Sequence, residues 1–206
     1  MSENAYFVDF VPNLIKQGIT EHAEESLRAR FERTLPRSIA RWGELPAETV
    51  RVKPFELLFR QARQLYIDGY FEAVVALCGM TVEALCISLA QERVSGKHLK
   101  ERLVDPGKWV SGKIRLLKPF FRGEYSSSLL NDVLGIRRKY LHLHETRIET
   151  TDVLECVNKL HLVLLAEYGL VPEEGRFRPS TNEDVERRAR KMGIILANST
   201  RSTKKS

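Results

Sequence analysis

The most regular feature of the chain is a stripe of apolar residues at helical spacing. Phe71, Val75, Cys78, Val82, Leu85 and Leu89 step by four, three, four, three and four residues, with Val74 and Leu77 beside them. Ala73, Ala76, Gly79, Ala84 and Ala90 keep the remaining surface small, so this helix is expected at the centre of a bundle, closely approached by its neighbours. Before it, Pro54 opens a helix whose Phe55, Leu58, Phe59, Ala62, Leu65 and Tyr66 share a face and which stops at Asp68-Gly69. After it, Ser126, Ser127 and Ser128 supply N-caps for a third helix carrying Leu130, Val133, Leu134, Arg137 and Leu141. A fourth is predicted to begin at Thr151 or Asp152, with Glu155 three residues beyond Asp152 as in a capping box. Its stripe is Val153, Leu154, Val157, Leu160, His161, Leu164 and Tyr168, and Gly169 ends it.

The intervals are less regular. Between Ser95 and Tyr125, Gly96, Pro106, Gly107, Gly112, Pro119 and Gly123 predict a long irregular connection with one short helix near Lys113 to Leu117. Upstream, Leu27, Phe31, Leu35 and Ile39 mark an amphipathic helix from about Glu21 to Trp42, with Pro36 a source of kinking and WGELPAE, residues 42–48, a linker. Beyond Pro172 the charged segment suits one more short helix, and NSTRSTKKS from Asn198 reads as disordered. No segment sustains an alternation of period two. The expected fold is therefore all-α: a four-helix up-and-down bundle over residues 51–171, an accessory N-terminal helix and linker over 1–50, and a basic, partly disordered C-terminal tail over 172–206.

Composition narrows the setting. With 206 residues, 43% hydrophobic and 29% charged, the chain suits one globular domain with appendages and excludes disorder throughout or a collagen-like repeat. Cys78, Cys86 and Cys156 sit in apolar stretches without a C-x-x-C spacing and read as reduced core residues. No run approaches the ~20 apolar residues of a membrane span, and MSENAYFVDF has no basic region followed by an apolar one. A cytoplasmic protein with no membrane partner is the expectation. The formal charge is +6, but from Asn182 onward Arg187, Arg188, Arg190, Lys191, Arg201, Lys204 and Lys205 stand against Glu183, Asp184 and Glu186, so the tail holds +4 and the body +2. Basicity of the whole chain is thus a weak argument for a nucleic-acid partner, and a solvated tail explains it.

The densest polar cluster beside core helices is GIRRKYLHLHETRIET, residues 135–150, with Arg137, Arg138, Arg147, His142 and His144. Arg137 and His142 are five apart, so on one continuous helix they would point about 140° away from each other. They act together only if the helix ends near Leu141, or if two such pairs face one another across a dimer axis.

LYIDGYFEAVVALCGMTVEAL, Leu65 to Leu85, followed later by the Arg-x-x-x-x-His of IRRKYLH, Ile136 to His142, resembles the HEPN superfamily. The resemblance covers about the four-helix domain and leaves the N-terminal fifty residues and the tail aside. It implies a compact helical bundle, usually a homodimer, in which many members are metal-independent ribonucleases and others are inactive binding modules. By position Arg137 and His142 match the motif's two catalytic residues. Arg138 stands where the family often has asparagine, and His144 stands where one branch carries a tyrosine modified by a partner nucleotidyltransferase. By resemblance the setting is prokaryotic antiviral defence or a toxin–antitoxin function, with RNA as substrate, no cofactor, and room for a regulatory protein partner. The alternative is a non-catalytic module binding nucleotide, RNA or a protein.

The residue types suit that chemistry in their own right. RNA carries its nucleophile in the 2′-hydroxyl, so a group that moves a proton and a cation that steadies the phosphate are sufficient in kind. His142 titrates near working pH, and Arg137 can hold two phosphate oxygens. Lys139, Tyr140 and Arg147 are candidates for flanking phosphates or a stacked base. The plainer reading is that basic residues and histidines at a helix C-terminus only offset its dipole and bond its last carbonyls. Glu83, with Arg138 and His144 a candidate supporting residue, either directs Arg137 through a salt bridge or faces solvent or the long connection. His142, His144, Glu145 and His161 offer metal-ligand types without a recognised zinc spacing, so no metal is assigned. His22 and His98 read as surface residues, and Tyr66, Tyr70 and Phe71 as core.

Overall fold

A computed structural model describes residues 20–46, 49–50, 53–105, 109–141, 147–174 and 176–196. The disordered end expected from Asn198 lies outside these residues. Two compact units divide the chain, residues 1–44 and 45–206. The first contains helix α1 (Thr20–Glu44), which runs through Pro36 rather than ending there. It exposes Phe31, Leu35, Ile39 and Trp42.

In the second unit, Pro54 opens α2 (Pro54–Asp68), and Gly69 closes it at φ 87°, donating its N–H to the carbonyls of Leu65 and Tyr66. This left-handed turn suits glycine and starts α3 (Phe71–Arg93) almost at once. Packed against α3 are α2, α4 (Lys97–Val104), α5 (Val110–Leu117), α6 (Ser126–Leu141) and α7 (Thr150–Tyr168). Of the stripe, Val74, Val75, Cys78, Val82, Leu85 and Leu89 are fully buried, as is Cys86 beside them, while Phe71 and Leu77 are only partly buried. By length and composition α3 could also cross a membrane, which corrects the reading that no run approaches a span; just over half of its most apolar stretch is buried here as a core helix. All three cysteines are free and buried.

Four expectations change. The connection from Ser95 to Tyr125 holds two helices, α4 and α5, and a 3₁₀ turn at Lys118–Phe120. The short helices hold because Leu103, Ile114 and Leu117 reach the core. A three-stranded antiparallel sheet, β1 (Thr49–Val50), β2 (Gly169–Glu173) and β3 (Arg176–Pro179), interrupts the all-helical pattern. Strands of two, five and four residues are too short to show period two, and β1 pairs Thr49 with Leu170 and Val50 with Gly169, a long-range partnership. Beyond Pro172 the expected short helix is present as α8 (Asn182–Lys191), but it packs on α7 as part of the second unit, and the segment also supplies β3, so it is more than a tail. The start of α8 is a capping box: Thr181 Oγ1 accepts from the Asp184 N–H at 3.4 Å, and Asp184 Oδ2 accepts from the Thr181 N–H at 2.9 Å. Tyr70 is exposed rather than core, whereas Tyr66 is fully buried.

Two polar groups lie within this core. Glu167 near the end of α7 accepts from Arg93 Nη1 at 2.5 Å, the Arg122 and Gly123 N–H groups at 3.1 and 3.0 Å, and Ser126 Oγ at 2.6 Å. It thereby ties the end of α3, the turn before α6 and the first residue of α6 to one carboxylate. His161 is buried against Phe59, and burial first, then the Arg63 charge, lowers its pKa from 6.5 to about 3. The unfolded chain protonates this imidazole as pH falls through 6.5, whereas the folded ring stays neutral to about 3. Its contribution is therefore complete above 6.5 and declines as pH falls from there toward 3. Between pH 7 and 5 the unfolding free energy is expected to fall by about 2 kcal/mol. Urea titrations of wild type and His161→Leu check this; equal slopes against pH in the two proteins would assign the decline elsewhere.

Candidate functional site

The last turn of α6 presents Arg138 and Lys139, directly after Arg137, cations at the helix end whose dipole favours them. Arg137 is half-buried. Its side chain crosses onto α3 at Gly79, where a methyl group would sit 2.3 Å from Arg137 Cδ and 2.7 Å from Nε. The missing side chain of Gly79 is thus the notch that receives the arginine. Within it Nε is buried and hydrogen-bonded to nothing, and among the described residues no carboxylate pairs with the guanidinium. A buried donor left without an acceptor costs ~1–3 kcal/mol, which an anion delivered to the guanidinium would offset.

The neighbours are arranged differently. Arg138 and Arg147 are exposed. Lys139 Nζ donates to Asp152 Oδ2 at 2.6 Å, and Tyr140 donates its hydroxyl to the same oxygen at 2.5 Å while accepting from the Glu149 N–H at 3.3 Å. The hydrogen bond from Lys139, and after it that from Tyr140, holds the Asp152 carboxyl below the usual range. Reciprocally, Asp152 and then Tyr140 raise the Lys139 ammonium. Two expectations are corrected by this hub. Tyr140 is only 6% exposed, so its ring offers no platform for a base. Asp152 does not open a capping box: α7 begins at Thr150 after Glu149, and the aspartate instead clamps the end of α6 to the start of α7. Only the pairing of distant helices could reveal that role.

Helix α6 is described as far as Leu141. His142 and His144 lie in residues 142–146, outside the described residues.

Glu83 lies one turn beyond Gly79 on α3, yet its partner is Lys113 of α5, at 3.5 Å, rather than Arg137. Of the sequence alternatives, the long connection therefore takes this carboxylate. Lys113 is fully buried, and its ammonium makes that ion pair without a well-aligned hydrogen bond. Burial, opposed by Lys113 and assisted by Glu83, raises the neighbouring Cys86 thiol to about 12 and makes it an inert core group. Two participants escaped the sequence reading: Gly79 counted only among small residues easing helix contact, and Lys113 only as the start of a short helix in the connection. A glycine inside an otherwise ideal helical stripe was the available signal for the first; the second had none.

Among the described residues no group of three or more histidine, cysteine, aspartate or glutamate side chains is placed to hold a metal ion. The arrangement is a half-buried cation held between α3 and α6, with Arg138 exposed next to it in the chain. No protein-family model, curated protein or solved structure matches the chain.

Proposed function

We propose that the helical body is a HEPN-type four-helix bundle, α2, α3, α6 and α7, acting in the cytoplasm as a metal-independent endoribonuclease. The observation that carries this reading is Arg137, a guanidinium seated in the Gly79 notch with its Nε buried and no carboxylate partner among the described residues. Arginines that serve only structure are normally matched, as Arg93 is by Glu167. In the proposed reaction Arg137 holds two oxygens of the scissile phosphate and His142 moves the proton. The 2′-hydroxyl loses its proton and its oxygen bonds to phosphorus as the bond from phosphorus to the 5′-oxygen breaks. That oxygen leaves protonated, giving 2′,3′-cyclic phosphate and 5′-hydroxyl ends. Arg138 and Arg147 are exposed, and the proposal gives them flanking phosphates. A homodimer bringing two such sites to one cleft, with RNA as partner and a defence or toxin–antitoxin setting, belongs to the same proposal.

The test is incubation of purified protein with single-stranded and structured RNA in excess EDTA, followed by mapping of fragment ends. Wild type is expected to leave cyclic phosphates and spare DNA of the same sequence, because DNA lacks the attacking hydroxyl. Arg137→Ala and His142→Ala are each expected to lose ~10²–10⁴-fold in rate while retaining the wild-type circular dichroism. Binding of RNA without cleavage would favour the non-catalytic module, and cleavage unchanged in both variants would place the chemistry elsewhere.

A further inference from the structure

Glu83 stands near two cations and pairs with one. It follows Gly79 by four residues on α3, so the two positions share a face about one turn apart. Helical side chains lean toward the N-terminus, and a glutamate at this position naturally covers the turn before it, where Gly79 receives Arg137. Local geometry therefore favours an ion pair between Glu83 and Arg137. Instead Glu83 Oε1 lies 3.5 Å from Lys113 Nζ, and the buried Nε of Arg137 has no acceptor.

Burial explains the choice. The Lys113 side chain is wholly closed to water, on a helix anchored by the buried Ile114 and Leu117. Only the protein can match an ammonium placed there, whereas Arg137 is half-buried and still meets solvent. Leaving the lysine unpaired is the costlier of the two, so the carboxylate goes to it. The Glu83 side chain is itself 43% exposed, so packing does not fix it on the lysine. One acid thus faces two cations on α3, and its allotment to Lys113 leaves the guanidinium open.

We propose that Lys113 is a positioning residue for the phosphate site: by holding Glu83 off Arg137, it keeps the guanidinium open to a phosphate of RNA. This rests on the reading of Arg137 as the phosphate-binding group. Lys113, being wholly buried, touches no substrate, and its effect passes through Glu83. A carboxylate released to Arg137 would occupy the donors that the phosphate needs and repel the phosphate itself.

The test is Lys113→Met, which keeps an unbranched side chain and removes the charge; Lys113→Leu takes its place if that variant does not fold. In RNA cleavage, Lys113→Met is expected to raise KM roughly fivefold with kcat unchanged, because saturating RNA displaces the carboxylate. Lys113→Met/Glu83→Gln, which carries neither charge, is expected to restore the wild-type KM. A second readout needs no RNA. The Nε–H resonance of Arg137, identified by its absence from Arg137→Lys, is expected to move in Lys113→Met and to return in the double variant. Melting curves report the pair separately: Glu83→Gln alone strands the buried ammonium and should melt below the double variant.

An Arg137 resonance that stays in place in Lys113→Met overturns the proposal, whether or not RNA is cut. So does an unchanged KM, or a KM raised equally in the single and double variants, which would mean that Lys113 acts on the fold and not through Glu83. Wild-type protein that cuts no RNA would remove the ribonuclease reading instead, and the Arg137 resonance would still decide whether Lys113 holds Glu83 away.

Discussion

Gly79→Ala is expected to reduce RNA cleavage at least a hundredfold, close to the loss from removing Arg137 itself. The added methyl would stand 2.3 Å from Arg137 Cδ and 2.7 Å from Nε, so the arginine must leave its notch or α3 and α6 must separate. Helix propensity alone predicts the opposite sign for stability, because alanine is favoured over glycine inside a helix by ~0.5–1 kcal/mol. A melting temperature that falls, or stays level, therefore measures the clash. The double variant isolates it: with Arg137→Ala present the methyl has nothing to displace, and Gly79→Ala should become stabilising by about the propensity difference. A single Gly79→Ala protein that cleaves RNA at the wild-type rate would show that the seat of Arg137 is irrelevant to activity.

Loss of the Glu167 carboxylate is expected to have the largest effect on stability. Glu167→Ala removes the acceptor of four hydrogen bonds and leaves Arg93, whose side chain is 16% exposed, without its ion-pair partner. Breaking a buried pair from one side typically costs ~3–5 kcal/mol, a large fraction of a domain's stability. Arg93 also donates to the carbonyls of Phe120 and Glu167 at 2.9 and 3.3 Å, so it cannot readily turn to solvent. Urea denaturation at neutral pH measures the change. Glu167→Gln, which keeps acceptor capacity but not charge, should fall between wild type and alanine. A loss below about 1 kcal/mol for Glu167→Ala would mean that water replaces the carboxylate and that the turn before α6 is held by other contacts.

The two tests concern residues that were unequally legible. Gly79 sits in the strongest pattern of the chain, and its smallness was visible; the arginine 58 positions later that fills the space was not. Glu167 lies between Ala166 and Tyr168 at the end of a recognised helix, where nothing in the local spacing distinguishes it from a solvated acid. Its role arises because the turn at residues 122–126 and the end of α3 both arrive there. Likewise Asp152 looked like a helix cap in one dimension, and became the acceptor for Lys139 and Tyr140 once α6 and α7 lay side by side.

Sequence by itself determined the properties that depend on near neighbours along the chain. Stripes at three and four residues require helices with buried faces, Pro54 and Gly69 bound α2, and apolar surroundings keep the three cysteines free and buried. It also placed the cationic cluster at the end of α6, because dipole and composition act within one turn. Tertiary structure alone decided the pairings. It joined β1 to β2 across some 120 residues, gave Glu83 to Lys113, buried Tyr140 and seated Arg137 over Gly79. Each of these is a contact between segments far apart in the chain, set by packing and by the cost of leaving a polar group unmatched, and neither quantity is written in local spacing.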